Sequence, residues 1–188
     1  MAREIEAKAR CSDLAAVRKR LAEFGARAIQ KGFERNVVFD TPEGTLRSGD
    51  SLLRLREYSN VVLTFKGPRR SAADPIKSRD EIEVEVGDFD RTAEMLAALG
   101  FVKVWAYEKQ REEWLLGDAK VCLDTLPAIG DYVEVEAPEE AEVRSVLAKL
   151  GVDERDVTPH TYAEIFREFA GATGWEIPDM VFQDKGAK

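Results

Sequence analysis

The sequence predicts an α+β fold in which eight antiparallel strands close into a barrel and the helices pack outside it. Three observations support this prediction. Segments that alternate between apolar and charged residues, as strands do, are separated by segments with helical periodicity. A unit that begins with Glu-[Ile/Val]-Glu and ends with a helix occurs three times. On six strands the charged side chains share one face.

The three copies of the repeated unit have matching ends. Each begins with a short Glu-x-Glu strand and closes with a helix whose last residues read Leu-Ala-x-[Phe/Leu]-Gly. The first helix opens at Ser12-Asp13, a favourable N-cap, and the glycine suits the helix end. Matching units of this kind indicate duplication within one antiparallel sheet. The copies start at Glu4, Glu81 and Glu134, and their helices end at Gly25, Gly100 and Gly151.

Five further segments complete the predicted set of strands. They alternate with a period of two and are bounded by turn residues such as Thr41-Pro42-Glu43-Gly44. With the three Glu-x-Glu strands they bring the total to about eight, which suits a small closed barrel around one ligand. The five segments are Phe33–Asp40, Ser51–Tyr58, Val61–Lys66, Trp105–Leu116 and Lys120–Thr125.

Length and composition predict one domain over residues 1–182 and a frayed polar tail over residues 183–188. A chain of 188 residues with 44% hydrophobic content can bury one core. No apolar run approaches the roughly 20 residues that span a bilayer, and the charged start does not resemble a signal peptide, so we expect a cytoplasmic protein with no membrane partner. Two distant cysteines, Cys11 and Cys122, fit a reducing compartment. The net charge of −8 argues against nucleic acid as a partner.

The charged residues of six strands stand at every second position, so on each strand they lie on one face. This pattern has two interpretations. It is either the wet face of a half-buried sheet, or the interior of a closed barrel whose apolar outer face is covered by the helices. In a barrel, buried charges of both signs would need partners or a charged ligand. The charged positions are Glu4, Glu6 and Lys8; Arg54 and Arg56; Arg79, Glu81, Glu83 and Glu85; Lys109, Arg111 and Glu113; Lys120 and Asp124; and Glu134 and Glu136.

The mixture of signs points to one class of ligand. Carboxylates suit hard cations such as Mg²⁺ or Mn²⁺, and clustered Arg and Lys suit phosphate oxygens. A polyphosphate that carries a divalent cation satisfies both. Reactions at phosphorus need mainly positioning and charge neutralisation, so no nucleophilic Ser or Cys is required. The familiar glycine-rich nucleotide loops are missing from the sequence.

The ordered set of motifs resembles the CYTH family, also called triphosphate tunnel metalloenzymes, over nearly the whole chain. The family signature Glu-x-Glu-x-Lys stands at Glu4, Glu6 and Lys8. The other matching motifs are Leu-Arg-Leu-Arg with Arg54 and Arg56, Thr-Phe-Lys-Gly-Pro with Lys66, Arg-Asp-Glu-Ile-Glu with Arg79, Glu-Lys-Gln-Arg with Lys109 and Arg111, Cys-Leu-Asp-Thr-Leu with Asp124, and Val-Glu-Val-Glu with Glu134 and Glu136.

This resemblance implies roles for the residues. Catalysis would involve Lys8, Asp124 and Glu134. Glu81 and Glu83 would either contribute to the metal site or orient the cations through ion pairs, and Tyr162 would lie in the core, at the tunnel end or against the ligand. Asn36 lies in a strand where similar sequences often carry an acid and a tyrosine, so the role of that strand stays open. The metal ligands would be Glu4, Glu6, Asp124, Glu134 and Glu136, and the triphosphate would be held by Lys8, Arg54, Arg56, Lys66, Arg79, Lys109 and Arg111.

The reaction itself stays open at this point. The spacing around Glu-Lys-Gln-Arg and Ile-Gly-Asp-Tyr-Val-Glu is most similar to the class IV adenylyl cyclase branch, which implies conversion of ATP to cyclic AMP and pyrophosphate. Hydrolysis of tripolyphosphate, a nucleoside triphosphate or thiamine triphosphate is equally compatible with the motifs. A non-catalytic polyphosphate or nucleotide-binding module is the alternative, and a homodimer is a further open partner. We expect Trp105, Trp114 and Trp175 to pack in the core or at the rim.

Overall fold

The computed structural model describes residues 2–70, 75–176 and 178–183. Residues 184–188 of the predicted tail lie outside the described residues. No helix in the described part of the chain is long and apolar enough to cross a membrane. The strands are β1 Ala2–Arg10, β2 Arg27–Asp40, β3 Leu52–Glu57, β4 Val61–Lys66, β5 Ile76–Val86, β6 Val102–Leu116, β7 Ala119–Leu126, β8 Gly130–Glu136 and β9 Val157–Thr158. The helices are α1 Leu14–Glu23, α2 Thr45–Ser48, α3 Phe89–Ala98, α4 Glu140–Leu150 and α5 Tyr162–Thr173, with a 3₁₀ turn at Glu154–Asp156.

Eight of the strands close into an antiparallel barrel. They are neighbours in the order β5-β4-β3-β2-β6-β7-β8-β1, and β1 pairs back with β5. Strand β1 therefore lies between β5 and β8, with Glu4 opposite Arg79 on β5 and Lys8 opposite Glu134 on β8. The short β9 extends the β5 side of β1 near Lys8. The predicted closed eight-stranded barrel is confirmed.

Strand β2 begins earlier than the sequence pattern indicates, at Arg27 instead of Phe33. Its first residues pair with the end of β6, where Arg27 lies opposite Leu115. A bulge between Ala28 and Gln30 adds a residue to one strand and interrupts the period of two. This bulge explains why alternation alone did not locate the start of the strand.

Three helices cover the outside of the barrel with their apolar faces. Helices α1 and α4 pack together over β1, β7 and β8, and the centre of this outer core includes Leu21, Val133 and Val143, each 0% exposed. Helix α3 packs over Leu55 and Phe39 in a second outer core. Because the apolar strand faces point outward under helices, the charged faces point inward. The charged faces therefore form the interior of a closed barrel and not the wet face of a half-buried sheet.

Helix α5 and the segment after it cover one end of the barrel. The helix opens with a capping box between Thr161 and Glu164, and its buried Tyr162 and Phe166 pack with residues of β6 and β8. Strand β6 pairs with β7 only from Gln110 onward, so its earlier part needs another partner. Met180 supplies it, since its amide donates to the Ala106 carbonyl at 3.0 Å and its carbonyl accepts from the Glu108 amide at 2.9 Å.

Candidate active site

The barrel encloses a cavity of about 760 Å³. The inward strand faces bring the predicted site residues together around it, and all of them line the cavity except Asp124, which is fully buried behind Arg111. The cavity-lining members of the predicted set are Glu4, Glu6, Lys8, Arg54, Arg56, Lys66, Arg79, Lys109, Arg111, Glu134 and Glu136.

One side of the cavity is acidic, and we call Glu4, Glu6 and Glu81 the acidic wall. Lys66 bridges it, with its Nζ 2.5 Å from Glu4 Oε1 and 3.4 Å from Glu81 Oε1. Burial raises the pKa of Glu4 to about 7, the negative charge of Glu6 adds to the rise, and Lys66 opposes it. A cation bound beside Glu4 would lower this raised pKa and so favour the ionised carboxylate.

Glu6 stays ionised beside Glu4. Burial alone would raise its pKa, but the positive charges of Lys8, Lys66 and Lys77 lower it to about 2. Within the described ranges, no three carboxylate, histidine or cysteine side chains already stand in a metal-binding arrangement. The donor chemistry of the acidic wall nevertheless fits Mg²⁺ or Mn²⁺, which bind through oxygen.

Lys77 belongs to this site and was missed at the sequence level. Its side chain is buried, its Nζ donates to the His160 carbonyl at 3.1 Å, and it lies 3.9 Å from Glu6 Oε1. Burial, together with the charge of Lys8, lowers the pKa of Lys77 to about 8. It shares a strand face with Arg79, so extending the alternation of β5 by one step towards its start would have found it.

The cavity also carries a cluster of cations, Lys8, Lys109 and Arg111, which we call the cationic wall. Arg111 donates from Nε to Asp124 Oδ1 at 2.7 Å and from Nη2 to Oδ2 at 2.6 Å. Lys109 Nζ and the Tyr162 hydroxyl also donate to Oδ2, each at 3.0 Å. Both oxygens of Asp124 are therefore occupied by donors, so this carboxylate orients the cations of the wall.

Glu134 lies between the members of the cationic wall. It accepts hydrogen bonds from Lys8 Nζ and Arg111 Nη2. Burial alone would raise its pKa, but Lys8, Arg111 and Lys109 hold it well below the usual range. Glu134 is thus a charged acceptor at the centre of the site.

The arginines of β3 keep donors free. Arg54 donates from Nη1 to the Tyr107 hydroxyl at 3.2 Å, and Arg56 lies 3.7 Å from Glu83. The buried Nε atoms of both arginines have no hydrogen-bond partner among the described residues. Buried N–H groups are normally paired, so both guanidinium groups, which line the cavity, have hydrogen-bonding capacity that the described residues do not use.

Glu136 lies opposite Glu6 on the neighbouring strand β8. It forms an ion pair with Lys120 at 2.6 Å, and both side chains are more than a third exposed. This pair is at the end of the barrel opposite α5. Arg79, in contrast, is buried next to Glu4 on the paired strand.

Glu34 and Asn36 form a second buried layer behind the cationic wall, and the sequence interpretation left both without a role. Glu34 is 0% exposed, accepts from Asn36 Nδ2 at 2.9 Å, and lies 3.4 Å from Lys109 Nζ. The two residues share a strand face, so alternation from Asn36 would have pointed to Glu34 as well. Glu34 balances the charge of the cationic wall from outside the cavity.

The charge of Glu34 predicts an acid-dependent loss of stability. Burial alone would raise its pKa, but Lys109, Arg111 and Arg54 lower it from its ordinary value of 4.5 to about 2. Since the folded value lies below the unfolded one, Glu34 stabilises the fold at neutral pH, and this contribution is lost as the pH falls from about 4.5 to about 2. A shift of this size corresponds to about 3 kcal/mol.

We expect Glu34→Gln to flatten this part of the pH profile and to lower the free energy of unfolding at neutral pH. The free energy from urea unfolding, measured between pH 2 and pH 7, tests the prediction. Glu43→Gln, at an exposed loop position, is the matched control and should keep the wild-type slope. An unchanged slope in Glu34→Gln would show that other carboxylates carry the acid sensitivity.

Comparison with known proteins places this site in context. Residues 2–162 match a family model described as the CYTH domain. The chain is 27% identical over 188 residues to adenylate cyclase CyaB of Aeromonas hydrophila, covering 93% of this chain and 94% of that protein. It is also 27% identical over 172 residues to a Methanocaldococcus jannaschii protein that is provisionally named an adenylate cyclase, covering 86% and 97% of the two chains.

Solved structures share the fold. The PH1819 protein of Pyrococcus horikoshii superposes with a TM-score of 0.73 at 26% identity, covering 88% of this chain and 98% of that one. A Hippeastrum protein described as having a dominant triphosphatase activity superposes with a TM-score of 0.65 at 20% identity, covering 88% and 95%. At that identity the second similarity concerns the fold alone.

Proposed function

Because the chain belongs to the CYTH domain family, we propose that it is a metal-dependent enzyme that acts on a triphosphate substrate inside the barrel. The observation that supports this most directly is that one cavity is lined by both carboxylates, among them Glu4 and Glu6, and cations, among them Lys109 and Arg111. A triphosphate with a bound divalent cation has the charges that match both walls.

Glu4 and Glu6 are the residues that would hold Mg²⁺ or Mn²⁺, with Glu134 facing them from β8. When bound, the ion would neutralise charge on the phosphate oxygens and activate an attacking oxygen. Glu136, which lies opposite Glu6 and pairs with Lys120, would be a further ligand. Asp124 fits this role less well, since both of its oxygens accept hydrogen bonds from Arg111.

The cations would bind the triphosphate and neutralise charge as it develops. Arg54 and Arg56 have unused buried N–H groups, and Arg111 is fixed by a two-point contact with Asp124. Donors that are already oriented need no rearrangement during the reaction, which is the main source of such stabilisation. Lys8, which donates to Glu134, would hold a proton next to the reacting phosphate. Further phosphate contacts would come from Lys66, Arg79 and Lys109.

Two reactions fit this arrangement. Cyclisation of ATP to cyclic AMP and pyrophosphate is favoured by the relatives that carry adenylate cyclase names. Hydrolysis of a triphosphate is the second candidate, because the acidic wall would serve equally to activate water. A binding module without catalysis is the rival, but such a module has no need of the ionised Glu6 beside Glu4.

Product analysis tests the proposal. Purified protein is incubated with ATP, tripolyphosphate or thiamine triphosphate, with Mg²⁺ or Mn²⁺ and with EDTA as the metal-free control. We expect a product that forms only with metal, either cyclic AMP with pyrophosphate or orthophosphate. Tight binding of all three compounds without any product would instead identify a binding module.

A further inference from the structure

Tyr162, the first residue of α5, lies against two members of the cationic wall. Lys8 Nζ lies over its ring, 4.0 Å from the ring centroid, and Lys109 Nζ lies 5.5 Å from the same centroid. Both distances are within the roughly 6 Å over which a ring face attracts a cation. Tyr162 is only 7% exposed, so this attraction acts away from bulk water, where it is strongest.

The hydroxyl group of Tyr162 has a separate partner. It donates to Asp124 Oδ2 at 3.0 Å, and the same oxygen accepts from Lys109 and Arg111. One side chain therefore contacts both the cations of the wall and the carboxylate that orients two of them. The Tyr162 ring also meets Tyr132 edge to face, with centroids 5.3 Å apart and an interplanar angle of 78°, which limits rotation of the ring.

An aromatic ring holds an ammonium group in a way that a carboxylate does not. A carboxylate fixes a lysine by offsetting its charge, whereas a ring face attracts the cation and adds no net negative charge. Lys8 has one contact of each kind, with Glu134 and with Tyr162. The ring thus helps to fix Lys8 and leaves its positive charge available to a phosphate group in the cavity, which Lys8 lines.

We propose that Tyr162 is a positioning residue whose ring holds Lys8 and Lys109 in place to bind the triphosphate. This inference rests on the proposed function, because the placement matters only if a triphosphate occupies the cavity. Tyr162 directly follows Thr161, the N-cap of α5. The docking of α5 therefore contributes to the order of the cationic wall as well as covering one end of the barrel.

Binding of tripolyphosphate tests this proposal without relying on turnover. Affinity is measured by calorimetry, with EDTA present to prevent metal-dependent reaction. Tyr162→Leu removes the ring and the hydroxyl, and it should weaken binding by about 10- to 30-fold, as expected for the loss of a cation–ring contact away from water. Tyr162→Phe keeps the ring, and Asp124 still accepts from Lys109 and Arg111, so this variant should weaken binding by less than about threefold.

A series of fluorinated rings separates the electrostatic effect from the shape of the side chain. Phenylalanine with one, two or three ring fluorines is incorporated in place of Tyr162. Each fluorine withdraws electron density from the ring face with little change in size, so we expect tripolyphosphate affinity to fall stepwise along the series. A ring that only fills space would give the same affinity throughout, and that result would overturn this inference alone.

Phe169 supplies the matched control for loosening of α5. It lies on the same helix, packs against the rings of Phe166 and Trp175, and is not one of the described residues that line the cavity. Phe169→Leu should keep tripolyphosphate affinity within about twofold of wild type. Equal weakening in Phe169→Leu and Tyr162→Leu would attribute the effect to helix docking and overturn the inference. If the wild-type protein binds no tripolyphosphate, with or without Mg²⁺, the proposed function fails together with it.

Discussion

Replacing Glu6 with glutamine is expected to lower kcat/KM for any triphosphate substrate by about 10³-fold or more. The substitution keeps the shape of the side chain and removes its charge. Glu6 is held ionised by Lys8, Lys66 and Lys77 and lies beside Glu4, so it is the most firmly charged member of the acidic wall. Without this charge the site loses one of its proposed metal ligands, and the positive charges of Lys8, Lys66 and Lys77 lose a negative partner.

The measurement is kcat/KM as a function of Mn²⁺ or Mg²⁺ concentration, together with direct Mn²⁺ binding. Glu6→Gln should need more metal for half-maximal activity and bind Mn²⁺ more weakly. Glu85→Gln, at an exposed position near the end of β5, should behave as wild type. If Glu6→Gln keeps its metal requirement and its turnover, the acidic wall is not the metal site.

Replacing Arg111 with lysine is expected to lower kcat/KM by about 10²-fold although the positive charge is kept. Arg111 makes two parallel hydrogen bonds to Asp124 and a third to Glu134. A lysine ammonium cannot reproduce this planar fork, so Asp124 and Glu134 would each lose a fixed partner. We expect KM to rise and kcat to fall, since both binding and charge stabilisation depend on this group.

Arg18 supplies a matched control for this substitution. It makes the same kind of two-point contact with Glu112, at 2.9 and 2.8 Å, but on the outside of the barrel. Arg18→Lys should leave turnover unchanged and alter stability by less than about 1 kcal/mol. A comparable activity loss in both variants would mean that Arg111 acts through the fold and not through the substrate.

The barrel could be predicted from sequence because its determinants are local. Period-two alternation placed the charged residues of β1, β3 and β5 on one face, and the repeated Glu-x-Glu units indicated a single sheet. The closure of one end by α5 and Met180 could not be predicted, since it depends on which distant strand edge is left unpaired. The bulge near Ala28 interrupts the alternation, so the sequence pattern did not show the start of β2.

The candidate site was predictable as a set of inward charges but not as a set of roles. Whether a carboxylate such as Asp124 holds a metal or orients cations depends on its cross-strand neighbour, which here is Arg111. That register is not visible in the spacing of either strand. Glu34 was not predicted, although it lies two residues from Asn36 on the same face of β2.

Closure of the barrel joins segments that are far apart in the chain. Strand β1 pairs with β5 and β8, and Met180 pairs with β6. Such long-range contacts cost loop entropy before they yield any gain, so we expect the enclosed interior to exist only in the folded chain. A compound that binds in the interior therefore binds only the folded protein. At concentrations well above its dissociation constant, the midpoint of thermal unfolding should rise with the logarithm of the compound's concentration.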